Sequence, residues 1–169
     1  MLQGHIDVAK VEFPTGVTGQ RLDSLARHYL WQAGQDYNHG TGHGVGAMLN
    51  VHEAPPTIGF RPGGSSVAFE PGMIVSNEPG YYEAGDHGIR IECLQVCQPS
   101  PQHDNWLGFE VLTLVPIQRA LVNVKLLSAP QLEWLNDFHQ QVEDTIGPLV
   151  AQSGDKRALD WLREACKPL

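Results

Sequence analysis

The sequence predicts an α+β fold: an antiparallel sheet with helices before and after it. Two observations carry this. Three apolar runs, at 72–78, 88–97 and 109–116, are joined by short segments rich in turn formers, including Gly80, Gly85 and Asp86 between the first two. Strands linked by hairpin-type connections pair antiparallel. Ahead of and behind these runs, apolar residues recur at helical spacing instead.

Residues 1–12 read as a helix end, with Leu2, Ile6, Val8, Ala9 and Val11 as its apolar positions. Phe13-Pro14-Thr15-Gly16 is a break. A second helix starts near Thr18, a candidate N-cap, and carries Leu22, Leu25, Ala26, Tyr29 and Leu30 up to a stop at Gly34. That stripe reads as core packed across a sheet. Residues 47–51 are expected to be extended, and 54–66 a turn-rich loop in which Pro55-Pro56 stiffens the chain. Residues 98–108 read as a polar loop. Ser128 and Pro130 open a helix in the favoured order, and its stripe of Leu132, Leu135, Phe138, Val142, Thr145 and Ile146 is expected to end at Gly147-Pro148. A last helix holds Ala158, Leu159, Trp161, Leu162 and Ala165, with Trp134 and Trp161 expected to pack within the chain.

The whole chain bounds what this fold can do. Its 169 residues suffice for a core. A net charge of −8 argues against nonspecific nucleic-acid binding. No stretch reaches the ~20 apolar residues of a membrane span. The start lacks the basic-then-apolar pattern of a signal peptide, so the expected setting is cytoplasmic. Cys93 and Cys97 on one strand would stand ~13 Å apart at about 3.3 Å per residue, too far for a disulfide. With Cys166 they are expected to be buried thiols.

The chemistry concentrates around His39-Gly40-Thr41-Gly42-His43-Gly44-Val45-Gly46 and the following Asn50-Val51-His52-Glu53. The alternating glycines leave room beside His39 and His43, and are expected to allow positive φ or close approach of a ligand. Ser76-Asn77-Glu78-Pro79-Gly80-Tyr81-Tyr82 sets a carboxylate at the end of an apolar run. Gly88-Ile89-Arg90-Ile91-Glu92 sets a second on what reads as one strand, with Arg90 and Glu92 toward a site and Ile89 and Ile91 toward a core. One His and two Glu form a carboxylate-rich donor set suited to Mn, Co or Zn.

These ordered motifs, His39–Gly46, Asn50–Glu53, Asn77–Tyr82 and Gly88–Glu92, resemble the C-terminal half of the catalytic domain of the Xaa-Pro aminopeptidases (aminopeptidase P). These are metallopeptidases of the pita-bread fold. The downstream run Phe109–Pro116 and the Trp-bearing C-terminal helices resemble the longer eukaryotic-type members. The resemblance implies a curved antiparallel sheet with helices on its outer face. It divides the chain into residues 1–127, the C-terminal portion of the pita-bread domain, and 128–169, a helical extension packed on it. It implies metal ligands His43, Glu78 and Glu92, with Glu92 bridging two ions, most readily Mn. It gives Glu78 the role of general base, His52 that of stabilising the tetrahedral intermediate, and His39 and Arg90 contact with the proline end of the substrate. The substrate is then a peptide beginning Xaa-Pro.

The family's two Asp ligands have no counterpart upstream of His39, where Asp7 and Asp23 fall outside the motif. One metal ion or none, and little or no peptidase activity from this chain alone, are therefore expected. A homodimer is a candidate assembly. Two other readings stay open at this stage: a metal-free pita-bread interaction module, and the same fold with prolidase or methionine aminopeptidase specificity.

Overall fold

The computed structural model describes residues 1–48 and 50–169. The chain forms two compact units, Met1–Thr113 and Leu114–Leu169. Residues 114–127, placed with the sheet on the sequence, cluster with the C-terminal helices.

In the first unit the elements run α1 (Leu2–Lys10), β1 (Phe13–Pro14), α2 (Gly19–Gln32), β2 (Gly42–His43), β3 (Thr57–Ile58), β4 (Ile74–Asn77), β5 (Gly80–Tyr82), β6 (Gly88–Arg90), β7 (Cys93–Pro99) and β8 (Trp106–Val111). Strands β1-β8-β7-β4 make one antiparallel sheet, and β2-β3 and β5-β6 are small antiparallel pairs. Val8 of α1, Leu22 and Ala26 of α2, and Phe13, Val75, Cys97 and Leu107 of the sheet share one core with Phe69 and Ile58. Phe13, Phe69 and Phe109 meet there with ring centroids 5.2–5.9 Å apart. Both helices are amphipathic as their spacing predicts, so their apolar stripes cover one face of the sheet. Thr18 occupies the N-cap position of α2, but its side chain makes no capping bond.

Several boundaries differ from the sequence reading. The Phe13–Gly16 break contains β1, a strand too short to show periodicity. The run at 109–116 is β8, which starts at Trp106 within the expected loop and ends at Val111. Residues 47–48 form a turn, not an extended segment; Leu49 of that stretch lies outside the described residues. All three cysteines are free and buried, and burial pushes the Cys93 and Cys97 thiols up to about 11.

The second unit comprises short 3-10 turns at Arg119–Leu121 and Val124–Leu126, then α3 (Ala129–Ser153) and α4 (Lys156–Ala165). Helix α3 starts with a Ser128/Gln131 capping box. It does not stop at Gly147-Pro148. It continues to Gly154, which takes the left-handed conformation at φ 77°. Proline removes one ladder hydrogen bond, and the packing of Leu135, Phe138 and Val142 outweighs that local loss. Trp134 stacks on Phe138 at 5.3 Å. Trp161 is exposed.

Candidate metal centre

The run at 88–97 breaks in two, β6 and β7, with Ile91-Glu92 between them, and the run at 72–78 ends as β4 at Asn77, with β5 starting at Gly80. Strand β4 pairs Asn77 with Cys93 on β7, and β5 pairs Gly80 with Arg90 on β6. The two ladders share one register, so Glu78 falls opposite Glu92 at the interruption, and Pro79 opposite Ile91. Proline has no N–H to give a ladder, which helps to end pairing here. Ile89 does not face a core, being 39 % exposed. The break therefore places two carboxylates against each other, an arrangement that destabilises a sheet unless a cation lies between them.

His43 reaches the same place on β2. Its N–H donates to Ser76 Oγ at 2.9 Å, and the Glu78 N–H donates to the Thr41 carbonyl at 2.7 Å. The glycines of this segment serve approach of the protein's own chain. None of Gly40, Gly42, Gly44 or Gly46 has positive φ. A Cβ on Gly42 would lie 1.8 Å from the Ser76 carbonyl oxygen, and one on Gly44 2.1 Å from that of Glu53.

Donor atoms of His43, Glu78 and Glu92 lie within 4.8 Å of one another. His43 Nδ1 meets the Gly44 carbonyl at 3.0 Å. A carbonyl only accepts, so Nδ1 carries the proton of the neutral ring and Nε2 bears a lone pair. That Nε2 stands 3.2 Å from Glu78 Oε1. Two lone pairs at this distance repel unless a proton or a metal ion lies between them. Two donors each about 2.1 Å from one ion have about this spacing. The residues present thus fit a divalent cation. Ser76 Oγ donates to Glu78 Oε1 at 3.0 Å and so holds the carboxylate in place.

His52 lies beside His43, with ring centroids 4.2 Å apart. Arg90 Nη1 approaches Glu78 Oε2 at 3.6 Å and does not pair with Glu92. Arg90 Nε also donates to the Tyr82 hydroxyl at 2.8 Å. His39 Nδ1 meets the Gly40 carbonyl at 2.7 Å, so His39 Nε2 accepts from Tyr82 at 2.9 Å. Hydrogen bonding therefore runs in one direction from Arg90 through Tyr82 to His39. Both nitrogens of His39 are engaged, so it presents ring surface, not a free N–H, to a ligand.

The fold brings His39, His43, His52, Glu78, Arg90 and Glu92 into one connected cluster. Asp7 accepts from Tyr29, and Asp23, bonded to Arg27 and Thr41, adjoins the cluster without belonging to its donor set. Sequence reasoning missed Ser76 and Tyr82. Alternation along the chain put both on the face of Glu78, which was the available signal.

The chain matches metallopeptidase family M24 over residues 1–99 and the C-terminal region of peptidase M24 over residues 105–169. It is 48 % identical to a probable Xaa-Pro aminopeptidase P of Coprinopsis cinerea along its whole length, covering 28 % of that protein. It is similar to the crystal structure of X-prolyl aminopeptidase from Caenorhabditis elegans, described as a cytosolic enzyme with a di-nuclear active site. There the TM-score is 0.93 at 43 % identity, over 99 % of this chain and 28 % of that one. An Xaa-Pro dipeptidase from Bacillus anthracis matches at TM-score 0.57 and 36 % identity, over 69 % of this chain and 30 % of that one.

Proposed function

The chain belongs to metallopeptidase family M24 and has its pita-bread α+β fold, and from that premise we propose that it supplies the C-terminal part of a metal-dependent Xaa-Pro aminopeptidase site. It spans just over a quarter of the length of the relatives it matches. The observation that carries the reading is the facing of His43 Nε2 and Glu78 Oε1 at 3.2 Å, with Glu92 across the broken ladder. A metal-free binding module has no physical need of two opposed carboxylates. The 48 % identity to an Xaa-Pro aminopeptidase P along the whole chain, against 36 % over 69 % of it for the dipeptidase, favours aminopeptidase over dipeptidase specificity.

His43, Glu78 and Glu92 hold a divalent ion, Mn in preference to Zn or Co on the oxygen-rich donor set. When bound, such an ion polarises a peptide carbonyl and eases deprotonation of water. Glu78, fixed by Ser76 and flanked by Arg90, takes up a proton as general base. His52, exposed beside His43, donates to the oxygen on which negative charge develops. The His39 ring packs on the proline end, and Arg90 orients it. A cytosolic setting belongs to this reading, on the likeness to the cytosolic worm enzyme. Two acidic ligands are lacking, so the chain alone takes one ion and shows little peptidase activity.

Calorimetric titration of the purified chain with Mn²⁺ and Zn²⁺ tests this. Binding that His43→Ala abolishes supports the site. Binding that His43→Ala leaves unchanged, or none to the wild type, overturns it for this chain. Efficient Xaa-Pro cleavage by the chain alone would refute the expected inactivity.

A further inference from the structure

Helix α2 carries a buried ion pair that the proposed chemistry does not use. Arg27 is 2 % exposed and Asp23 3 %. Arg27 Nε donates to Asp23 Oδ2 at 2.7 Å and Nη2 to Asp23 Oδ1 at 3.3 Å. Nη1 donates to Asp36 Oδ1 at 2.7 Å. The remaining bonds go to main-chain carbonyls, Nη1 to Tyr37 at 2.6 Å and Nη2 to His39 at 2.7 Å. All five guanidinium donors are thereby used. The Arg27 guanidinium lies over two rings, 3.9 Å from the centroid of Tyr37 and 5.0 Å from that of Phe60.

A second path leaves the same pair. Thr41 Oγ1 donates to Asp23 Oδ1 at 2.5 Å and accepts from the Tyr37 hydroxyl at 2.5 Å. The Thr41 carbonyl in turn accepts from the Glu78 N–H. A buried ion pair is weak evidence for stability, since apolar residues of equal volume often do as well. An apolar residue could not bind two carbonyls on either side of one loop residue. Lysine could not either, lacking the rigid fork.

We propose that Arg27 is the positioning residue of the site: by binding the Tyr37 and His39 carbonyls it fixes the direction of the His39 ring toward Tyr82 and the register of residues 37–43 against Glu78. The importance of His39 for a substrate rests on the reading above; its placement by Arg27 does not.

The test is side-chain NMR of the histidines and amide exchange in the full chain, for wild type, Arg27→Lys and Asp23→Asn. In Arg27→Lys the His39 imidazole resonances move, and protection of the Glu78 amide falls at least about tenfold while that of α1 and β7 holds. Asp23→Asn, which leaves both carbonyl bonds in reach, keeps the His39 resonances in place. Unchanged His39 and Glu78 signals in Arg27→Lys overturn the proposal. So does equal movement in both variants, or a uniform loss of protection, which marks a general stabiliser. The wild type gives a check independent of variant folding: couplings across the hydrogen bonds from Arg27 Nη to the Tyr37 and His39 carbonyl carbons are expected, and freely rotating, uncoupled Nη groups overturn the proposal. None of these signals involves metal or peptide, so a failed Mn²⁺ titration is distinguishable from a failure here.

Discussion

Glu78 stands opposite Glu92 across a ladder that pairs on both sides of them and lapses between. Metal-free, the two carboxylates repel; with a cation between them they become a binding device. Glu92→Gln is therefore expected to stabilise the metal-free chain slightly, by roughly 0.3 kcal/mol. The same change should weaken Mn²⁺ binding by at least about a hundredfold, more than altering a neighbour of a ligand costs. Urea denaturation and calorimetry on one preparation read both effects. A destabilised variant with intact affinity would count against the proposed ligand set.

Gly42→Ala and Gly46→Ala should differ sharply. At Gly42 the added Cβ meets the Ser76 carbonyl oxygen at 1.8 Å, main chain that cannot move without separating β2 from β4. At Gly46 it meets the Glu53 carboxylate at 2.4 Å, the free end of a side chain. The first should cost on the order of 3 kcal/mol, through overpacking, and the second under about 1. Equal shifts in the unfolding midpoint would argue against close packing as the reason for glycine at 42.

Tyr82→Phe removes the hydroxyl that links Arg90 to His39. Tyr82 is 45 % exposed, so stability should change by less than about 0.5 kcal/mol. In any preparation that cleaves Xaa-Pro peptides, kcat/KM should fall at least about tenfold, because misplaced groups lose orientation. Full retention of kcat/KM would show that the link does not serve the substrate.

Stability should fall in acid through His5. Burial drives its imidazole down to about 4, against the ordinary 6.5, although a hydrogen bond with Asn77 opposes the shift. The unfolded chain therefore takes up this proton first as pH drops. The contribution is complete above pH 6.5 and lost progressively down to about 4, by about 3 kcal/mol at most. His139, lowered by burial and by Arg119, adds to the loss on the acid side of 6.5. Denaturation midpoints between pH 7 and 4 should be flatter for His5→Leu; an unchanged slope would place the acid sensitivity elsewhere.

Sequence alone determined a good deal. Helical spacing marked α1 and α2 and the stripe of α3, because an apolar stripe with period 3.6 is what a helix packed on a core presents. Residue chemistry offered Glu78, Glu92 and one histidine as candidate donors, the family resemblance singled out His43, and burial of Cys93 and Cys97 followed from their place on a strand. Tertiary structure decided where the run at 88–97 breaks, which way the Gly-rich segment packs, and that Glu78 opposes Glu92. It also decided the links of Ser76 to His43, Tyr82 to His39, and Arg27 to the His39 carbonyl. Local pattern reports which face a residue occupies. Strand register and hydrogen bonds between segments distant in the chain are set only when the elements pack, so no local spacing encodes them.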